Sequence, residues 1–129
     1  MAYRPLTILL LALTIVTQCW AGDLLKPGET AHPFTLDDVN GQPFTLQDTL
    51  NSGPTLLVFF RTDCSHCKVE LPLLQKLSQE ADYASLRILA VSVRETAEDV
   101  TAFIEEHGLT FPVLIDKTMK VTREYGVPS

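Results

Sequence analysis

The sequence predicts an α/β protein in which helices cover a largely parallel sheet. Two apolar runs of strand length, residues 55–60 and 86–93, are each followed by a segment whose apolar residues recur at helical spacing. Strands that alternate with helices in this way pair in parallel, with right-handed crossovers. The 129 residues, 46% hydrophobic and 20% charged, have an ordinary globular composition and the length of one domain.

The first 21 residues differ from the rest of the chain. Arg4 is the only charge before an apolar stretch over residues 6–16, and the small Ala21 follows a few residues later. A short basic start, an apolar segment and a small residue predict a secretory signal peptide that is cleaved after Ala21. We therefore divide the chain into a signal peptide, residues 1–21, and a folded domain, residues 22–129, that is periplasmic or otherwise exported.

Two other interpretations of this first segment fit less well. A retained membrane anchor needs about 20 apolar residues, more than the segment offers. A lipoprotein attached at Cys19 is disfavoured because the large, polar Gln18 precedes that cysteine. Cleavage would leave Cys64 and Cys67 as the cysteines of an acidic domain, which excludes nucleic acid as a partner because like charges repel. In an oxidising compartment a disulfide between these two cysteines can persist.

The first elements predicted are a β-hairpin and a buried strand. Asn40 and Gly41 form a hairpin turn signal between two short alternating stretches. Pro33 and Pro43 confine the hairpin strands to an edge position, because proline cannot donate a ladder hydrogen bond. The continuous apolar run TLLVFF at residues 55–60 is typical of a strand that is buried on both faces.

A helix should begin near Cys64 and continue through Pro72. Proline past the first turn removes one backbone hydrogen bond, so we expect it to kink this helix without ending it. Four apolar residues recur at helical spacing and predict the buried side of the helix: Val69, Leu73, Leu74 and Leu77.

Residues 86–93 form the second predicted strand, and a capped helix follows it. Thr96 and Asp99, three residues apart, resemble an N-cap arrangement, and Gly108 ends the helix after His107. The inner face of this helix should carry Val100, Phe103, Ile104 and His107. The remaining predicted elements are a short strand over residues 111–115 and a helical stretch over residues 117–125.

The Cys-x-x-Cys pair lies where a predicted strand is followed by a helix. Cysteines three residues apart at a helix start point the same way, so Cys64 and Cys67 can close a disulfide. Cys64 faces unpaired backbone N–H groups and the positive end of the helix dipole, which should bring its pKa below about 8.5. Charged His66 and Lys68 act in the same direction. The pattern predicts that Cys64 attacks a partner disulfide and that Cys67 resolves the mixed disulfide.

The cysteine pair has two other possible uses. A purely structural crosslink across three residues closes a very short loop and removes little entropy from the unfolded chain. The second alternative is a zinc or copper site, although the two thiols and His66 do not form a usual set of zinc ligands. His32, a predicted loop residue, and His107, a predicted packing residue, are distant in sequence. Covalent haem is excluded because Lys68 stands where histidine is needed. We therefore predict no cofactor and no metal.

Several segments together resemble exported thioredoxin-like proteins of the TlpA/ResA type, within the AhpC/TSA redoxins. The resemblance spans roughly residues 25–127 and depends on GETAHPFTL at residues 28–36, the Asn40-Gly41 turn, the strand at residues 55–60, Cys64-Ser65-His66-Cys67 and Glu70-Leu71-Pro72. It implies a thioredoxin-like fold with an N-terminal β-hairpin and an inserted strand-helix unit. It also implies a thiol-disulfide oxidoreductase that works outside the cytoplasm without a dissociable cofactor.

The resemblance further implies roles for Glu70 and His66, and the class of partner. Glu70 matches a glutamate that tunes the proton affinity of the cysteines, since a carboxylate raises the pKa of a nearby thiol and can accept its proton. A solvated helix residue is the alternative for Glu70. His66 would adjust protonation beside it. The partners implied are thiols and disulfides of exported proteins, cytochrome c precursors among them, and a membrane or periplasmic redox donor, with a mild preference for reduction.

Some positions depart from the family pattern. Asp63 replaces a common tryptophan and Arg61 a common alanine; Asp63 opposes a thiolate, whereas Arg61 and His66 support it. Histidine before the second cysteine also occurs in the oxidising DsbA type, which leaves the direction of electron flow open. Arg61 also stands where a peroxiredoxin needs threonine, which weakens a peroxidase as the alternative function. A copper-binding thioredoxin-fold module is the other alternative.

The end of the sequence departs most from the family. Tyr125-Gly126-Val127 matches a family stretch, and Pro128 is expected to lie upstream of the cis-proline of the family. The closing hairpin and last helix of the family do not follow. We therefore expect a domain truncated before these elements, whose cysteine-bearing strand would expose an unpaired edge.

Overall fold

The computed structural model describes residues 23 to 128, which form one mixed sheet with helices on both faces. The elements in chain order are β1 Thr35–Asp38, β2 Pro43–Thr45, α1 Leu46–Leu50, β3 Thr55–Phe60, α2 Ser65–Leu77, β4 Arg87–Val93, α3 Ala97–His107, β5 Val113–Asp116 and α4 Lys120–Glu124. A turn of 3-10 helix, Ala81–Tyr83, lies between α2 and β4. The predicted signal peptide lies outside the described residues and stays a prediction, as does its boundary with the folded domain.

The sheet has the strand order β2-β1-β5-β4-β3. Strands β3, β4 and β5 are parallel, whereas β1 runs antiparallel to both β2 and β5. The predicted α/β layering is therefore confirmed. One face of the sheet packs against α1 and α4 through Leu46 and Val121, and the other packs against α2 and α3 through Leu71 and Phe103. The helix that carries the cysteines thus shares its face of the sheet with α3.

The predicted hairpin is present as β1 and β2. Gly41 adopts a φ of +77° in the turn, and the Asp38 carboxylate accepts hydrogen bonds from the backbone N–H groups of Asn40 and Gln42 at 2.8 and 2.9 Å. Strand β2 lies at the sheet edge as predicted, but β1 lies inside the sheet beside β5. The edge prediction is wrong for β1 because Pro33 precedes the strand, so no ladder hydrogen bond is lost.

The expectation that TLLVFF is buried on both faces is wrong. Within the described residues β3 is the last strand of the sheet and pairs with β4 alone, and Leu56 is 37% exposed. The strand buried on both faces is β4, in which every residue from Ile88 to Val93 is buried. A short apolar run is consistent with either location, because strand order depends on pairing partners elsewhere in the chain.

Helix α2 begins at Ser65 and continues through Pro72 to Leu77, as expected. Its predicted buried side is wrong for Val69 and Leu73, which are 64% and 57% exposed, and is confirmed for Leu74. The face that packs inward carries Cys67, Leu71 and Leu74, with Gln75. The sequence pattern missed this face because Gln75 is polar. Its amide is satisfied by Thr110, accepting from the backbone N–H at 2.7 Å and donating to the hydroxyl at 2.8 Å.

Helix α3 ends as predicted, and the last two elements differ in their bounds. The Thr96 hydroxyl accepts from the N–H of Asp99 at 3.2 Å, and Gly108 ends the helix with a φ of +62°. Strand β5 begins two residues later than expected. Helix α4 is shorter than expected because Met119, with a φ of +61°, precedes it in a left-handed conformation. Helix α1 was not predicted, although Thr45 and Asp48 form a capping box at its start.

Candidate active site

The candidate site lies at the edge of the sheet where the parallel strands β3, β4 and β5 all end. The loop at residues 61–64 connects β3 to α2 and contains Cys64, which is the N-cap residue of α2. Glu95 follows the end of β4, and Asp116 ends β5. Residues at the carboxyl ends of neighbouring parallel strands are thereby brought together, which is where open α/β sheets place their ligands.

The structure brings the two predicted cysteines together as free thiols across the first turn of α2. The Cys64 sulfur accepts a hydrogen bond from the backbone N–H of Cys67 at 3.3 Å. Hydrogen bonds from the Cys67 side chain, from its backbone N–H and from the backbone N–H of His66 hold the pKa of Cys64 below its ordinary value. The Asp63 carboxylate acts in the opposite direction. Cys64 is therefore the thiol of the pair that ionises first.

The second thiol has the opposite tendency. Cys67 is half-buried and packs against the apolar cluster that contains Phe60 and Leu71. Burial raises the pKa of Cys67, and the hydrogen bond that it donates to Cys64 and the negative charge of Glu70 add to this shift. The pair thus consists of an accessible sulfur that favours the thiolate and a more buried one that favours the thiol.

The charged residues before Cys64 form a local ion pair. The Arg61 guanidinium donates to both carboxylate oxygens of Asp63, at 2.9 and 2.8 Å. This fork raises the pKa of Arg61 and lowers the pKa of Asp63. Both side chains are largely exposed, so water screens the pair. Of the two departures from the family pattern, Asp63 thus raises the pKa of Cys64, and Arg61 pairs with Asp63.

His66 and Glu70 lie on the exposed surface of α2. His66 acts on Cys64 through its backbone N–H, whereas its side chain is exposed to solvent. Glu70 stands one turn after Cys67 and acts through its charge, which raises the pKa of that thiol. The structure thus places Glu70 within electrostatic reach of Cys67, and its carboxylate raises the pKa of that thiol as a nearby negative charge should.

An apolar groove of about 170 Å³ borders both cysteines. Its lining residues come from the ends of β3 and β4, the loop after β3, helices α2 and α4, and residues 127–128. They comprise Phe59, Phe60, Arg61, Cys64, Cys67, Val93, Thr122, Val127 and Pro128. The sequence did not predict the groove, because its walls come from segments up to 69 residues apart that only the fold unites. The peptide bond between Val127 and Pro128 is trans, and no cis peptide bond occurs within residues 23–128.

The histidines lie away from the thiols. His32 is an exposed loop residue whose ring meets Tyr125 edge-on at 5.7 Å, and His107 packs half-buried against Phe103 with 4.3 Å between ring centroids. Both locations are those predicted. Across residues 23–128, no three or more His, Cys, Asp or Glu side chains are grouped to hold a metal ion. In the same part of the chain, none of the helices has the length and apolar character needed to cross a bilayer.

A model of the AhpC/TSA family matches residues 27–129. The chain belongs to the AhpC/TSA family. It is 35% identical over 104 residues to the thiol-disulfide oxidoreductase ResA of Halalkalibacterium halodurans, covering 81% of this chain and 58% of the relative. It is 33% identical over 125 residues to the ResA of Bacillus subtilis, covering 95% and 69% of the two chains. The predicted resemblance to the ResA type is confirmed.

Solved structures that are similar to this chain include a disulfide oxidoreductase. A secreted disulfide oxidoreductase of Mycobacterium tuberculosis superposes on this AhpC/TSA chain with a TM-score of 0.65 and 25% identity, covering 74% of this chain and 69% of that one. The predicted thioredoxin-like fold is thereby confirmed. The chain spans 58% of the length of the Halalkalibacterium halodurans ResA.

Proposed function

We propose that the protein is a thiol-disulfide oxidoreductase that exchanges disulfides with exported proteins through Cys64 and Cys67. The observation that carries this proposal is the pair itself: two adjacent thiols with opposite pKa shifts at the start of α2, beside an apolar groove. A thiolate that can be reached by a partner and a protonated thiol behind it are what sequential disulfide exchange requires. The names of the ResA relatives support the same activity.

The exchange proceeds in two steps. The Cys64 thiolate attacks one sulfur of a partner disulfide, forming a mixed disulfide and releasing the partner's other sulfur as a thiolate that takes up a proton. Cys67 then loses its proton and attacks the Cys64 sulfur, which forms the Cys64–Cys67 disulfide and releases the second partner sulfur. The partner gains two electrons and the cysteine pair loses two. The same steps in reverse insert a disulfide into a reduced partner.

Glu70 and His66 are proposed to adjust protonation in the second step. While ionised, Glu70 keeps Cys67 in its thiol form, because it raises the pKa of that group. As the mixed disulfide forms, Glu70 can take up the proton that Cys67 must lose, directly or through water. The exposure of the His66 ring in the first turn of α2 supports its part in this proposal. No dissociable cofactor takes part in either step.

The partners that we propose are exported proteins with exposed cysteine pairs, of which cytochrome c precursors are one class. The groove beside the thiols has an almost entirely apolar lining, so it favours a partner segment with apolar side chains next to its cysteine. Reduction is the proposed direction, and a membrane or periplasmic redox donor would return the pair to its dithiol form. Export through residues 1–21 is proposed on the signal-peptide pattern and supported by the secreted structural relative.

The test is the capture of partners by a variant that cannot resolve the mixed disulfide. Cys67→Ser should accumulate disulfide-linked complexes when incubated with exported proteins that contain oxidised cysteines, and Cys64→Ser should accumulate none. The linked partners are identified by mass spectrometry after reduction. Equal trapping by both variants, or none by either, would contradict the proposed roles.

A second measurement decides whether the cysteine pair reduces or oxidises its partner. Equilibration of the Cys64–Cys67 pair with glutathione yields its reduction potential, which for such pairs lies between about −270 and −120 mV. A value near the reducing end supports a reductase, and a value near the oxidising end would overturn that part of the proposal. Peroxide consumption without a thiol partner would favour the peroxidase alternative, and stoichiometric copper or zinc in protein purified under reducing conditions would favour the metal-binding one.

A further inference from the structure

Glu95 connects the end of β4 to the loop that contains the attacking cysteine. Its half-buried carboxylate accepts hydrogen bonds from the Thr62 backbone N–H at 2.9 Å and from the Thr62 hydroxyl at 2.5 Å. The Ser92 hydroxyl donates to the second carboxylate oxygen at 2.6 Å. A carboxylate that receives several short, charge-assisted hydrogen bonds is a strong anchor. Thr62, 33 residues away in sequence, is thereby fixed to the end of the neighbouring strand.

The backbone before Glu95 is held in an uncommon conformation. Arg94 has a φ of +60°, and it shares this left-handed region with Met119 alone among the described non-glycine residues. Its N–H donates to the carbonyl oxygen of Asp116 at 3.1 Å, which fixes the turn against the end of β5. Such a conformation persists only where surrounding contacts hold it, and it is concentrated at functional sites. Here it directs the chain so that the Glu95 carboxylate reaches Thr62.

The anchored residue lies two positions before Cys64. The intervening segment forms a tight turn in which the Cys64 N–H donates to the carbonyl oxygen of Arg61 at 3.2 Å. The geometry that lowers the pKa of Cys64 requires its sulfur to stay over the N–H groups at the start of α2. A loop free to move would let the sulfur leave those donors, so what fixes Thr62 also fixes Cys64.

We propose that Glu95 is a positioning residue that holds the β3–α2 loop so that Cys64 stays at the N-cap of α2. The proposal deepens the proposed function, on which it depends for its meaning. Glu95 acts through Thr62 and does not touch the reacting sulfur atoms. The charge that acts on Cys64 is that of Asp63, which Arg61 and Lys68 oppose. The charge of Glu95 is met both by its hydrogen-bond donors and by Arg61.

Two substitutions separate the hydrogen bonds of Glu95 from its charge. Glu95→Gln keeps an oxygen that can accept from Thr62 and places an amide that can donate to the Ser92 hydroxyl, while the charge is lost. Glu95→Ala removes both. If Glu95 acted by charge alone, both variants would lower the pKa of Cys64, because an anion opposes a thiolate. If it acts by position, Glu95→Ala raises the pKa of Cys64 and Glu95→Gln leaves it nearly unchanged.

The experiment measures the rate at which iodoacetamide alkylates Cys64 as a function of pH, with peptide mapping to separate Cys64 from the other cysteines. We expect Glu95→Ala to raise the pKa of Cys64 by about one unit, which slows alkylation about tenfold at pH values below the pKa. The alkylation rate of Glu95→Gln at the same pH values should stay within about twofold of the rate of the unsubstituted protein. Glu105→Ala, which removes an exposed carboxylate on α3, is the matched control and should have no effect.

The possible results distinguish a failure of the positioning role of Glu95 from a failure of the proposed oxidoreductase function. An unchanged Cys64 pKa in folded Glu95→Ala, or a fall in both Glu95 variants, would overturn the positioning role while the oxidoreductase proposal stands. An ordinary Cys64 pKa in the unsubstituted protein would instead overturn the basis of the proposed function. If Glu95→Ala does not fold, Thr62→Val replaces it, because this substitution removes only the hydroxyl donor. The pKa of Cys64 should be higher in Thr62→Val than in Thr62→Ser, which keeps the hydroxyl. Equal pKa values in these two variants would refute the proposal.

Discussion

Leucine to alanine substitutions at Leu71 and Leu73 test which face of α2 packs against the core beneath the candidate site. Leu71 is 1% exposed and packs in the apolar cluster with Phe60 and Phe103, whereas Leu73 is 57% exposed. The two residues flank Pro72 in the same helix, so the change in helix propensity is the same at both. The periodicity of the sequence alone predicts the opposite assignment, with Leu73 on the buried side.

The expected magnitudes follow from burial. Removing a fully buried leucine side chain forfeits its transfer free energy and leaves a cavity, which together cost about 2–5 kcal/mol. Because the Leu71 side chain is enclosed between α2, α3 and the sheet, we expect Leu71→Ala to fall within that range. Leu73→Ala removes a side chain that is mostly in water, so a change within about 0.5 kcal/mol is expected. In a domain of this size, each kcal/mol shifts Tm by about 4–8 °C.

Urea unfolding at neutral pH, under reducing conditions, measures both variants against the unsubstituted protein. The slope of free energy against urea should be equal for the three proteins, so that the midpoints report stability alone. The reasoning would be refuted if Leu73→Ala lost as much stability as Leu71→Ala. It would also be refuted if Leu71→Ala unfolded at the same midpoint as the unsubstituted protein.

Three further predictions concern charge and buried hydrogen bonds. Asp63→Asn should lower the pKa of Cys64, because the Asp63 charge raises it, and the pH profile of alkylation should move to lower pH; a move to higher pH would contradict this. The folded state lowers the pKa of Asp48, so its stabilising effect is complete above pH about 4 and is lost as the pH falls through the folded pKa. Asp48→Asn should therefore weaken the acid dependence of urea unfolding, and an unchanged dependence would exclude this role. Thr122→Val removes the hydroxyl that donates to buried Asp116 at 2.6 Å, so we expect a loss of about 1–2 kcal/mol in unfolding free energy; no loss would show that the bond adds nothing net.

Local features of the fold could be predicted from the sequence because they depend on residues a few positions apart. The turn at Asn40 and Gly41, the N-cap at Thr96 and the stop at Gly108 each require a particular residue type at a fixed offset, and all three are present as expected. The Cys-x-x-Cys spacing likewise places two thiols on one helical turn wherever that helix lies.

Features that depend on neighbours across the fold could not be predicted in the same way. The buried face of α2 depends on Thr110, which satisfies the Gln75 amide and so permits a polar residue to face inward. The apolar composition of β3 predicts a strand buried on both faces, whereas the unpaired edge was expected only from the family resemblance, because the composition of a strand does not specify which strands pair beside it.

The sequence by itself determined that a pair of thiols stands between a strand and a helix, because spacing and helix geometry suffice for that conclusion. The tertiary structure alone decided what surrounds the pair. The ends of β3 and β4 place Thr62 beside Glu95, and the ends of β4 and α4 add the groove next to the sulfurs. The physical reason is that a hydrogen bond or an apolar wall between distant segments depends on strand order and packing, which no local pattern of residues encodes.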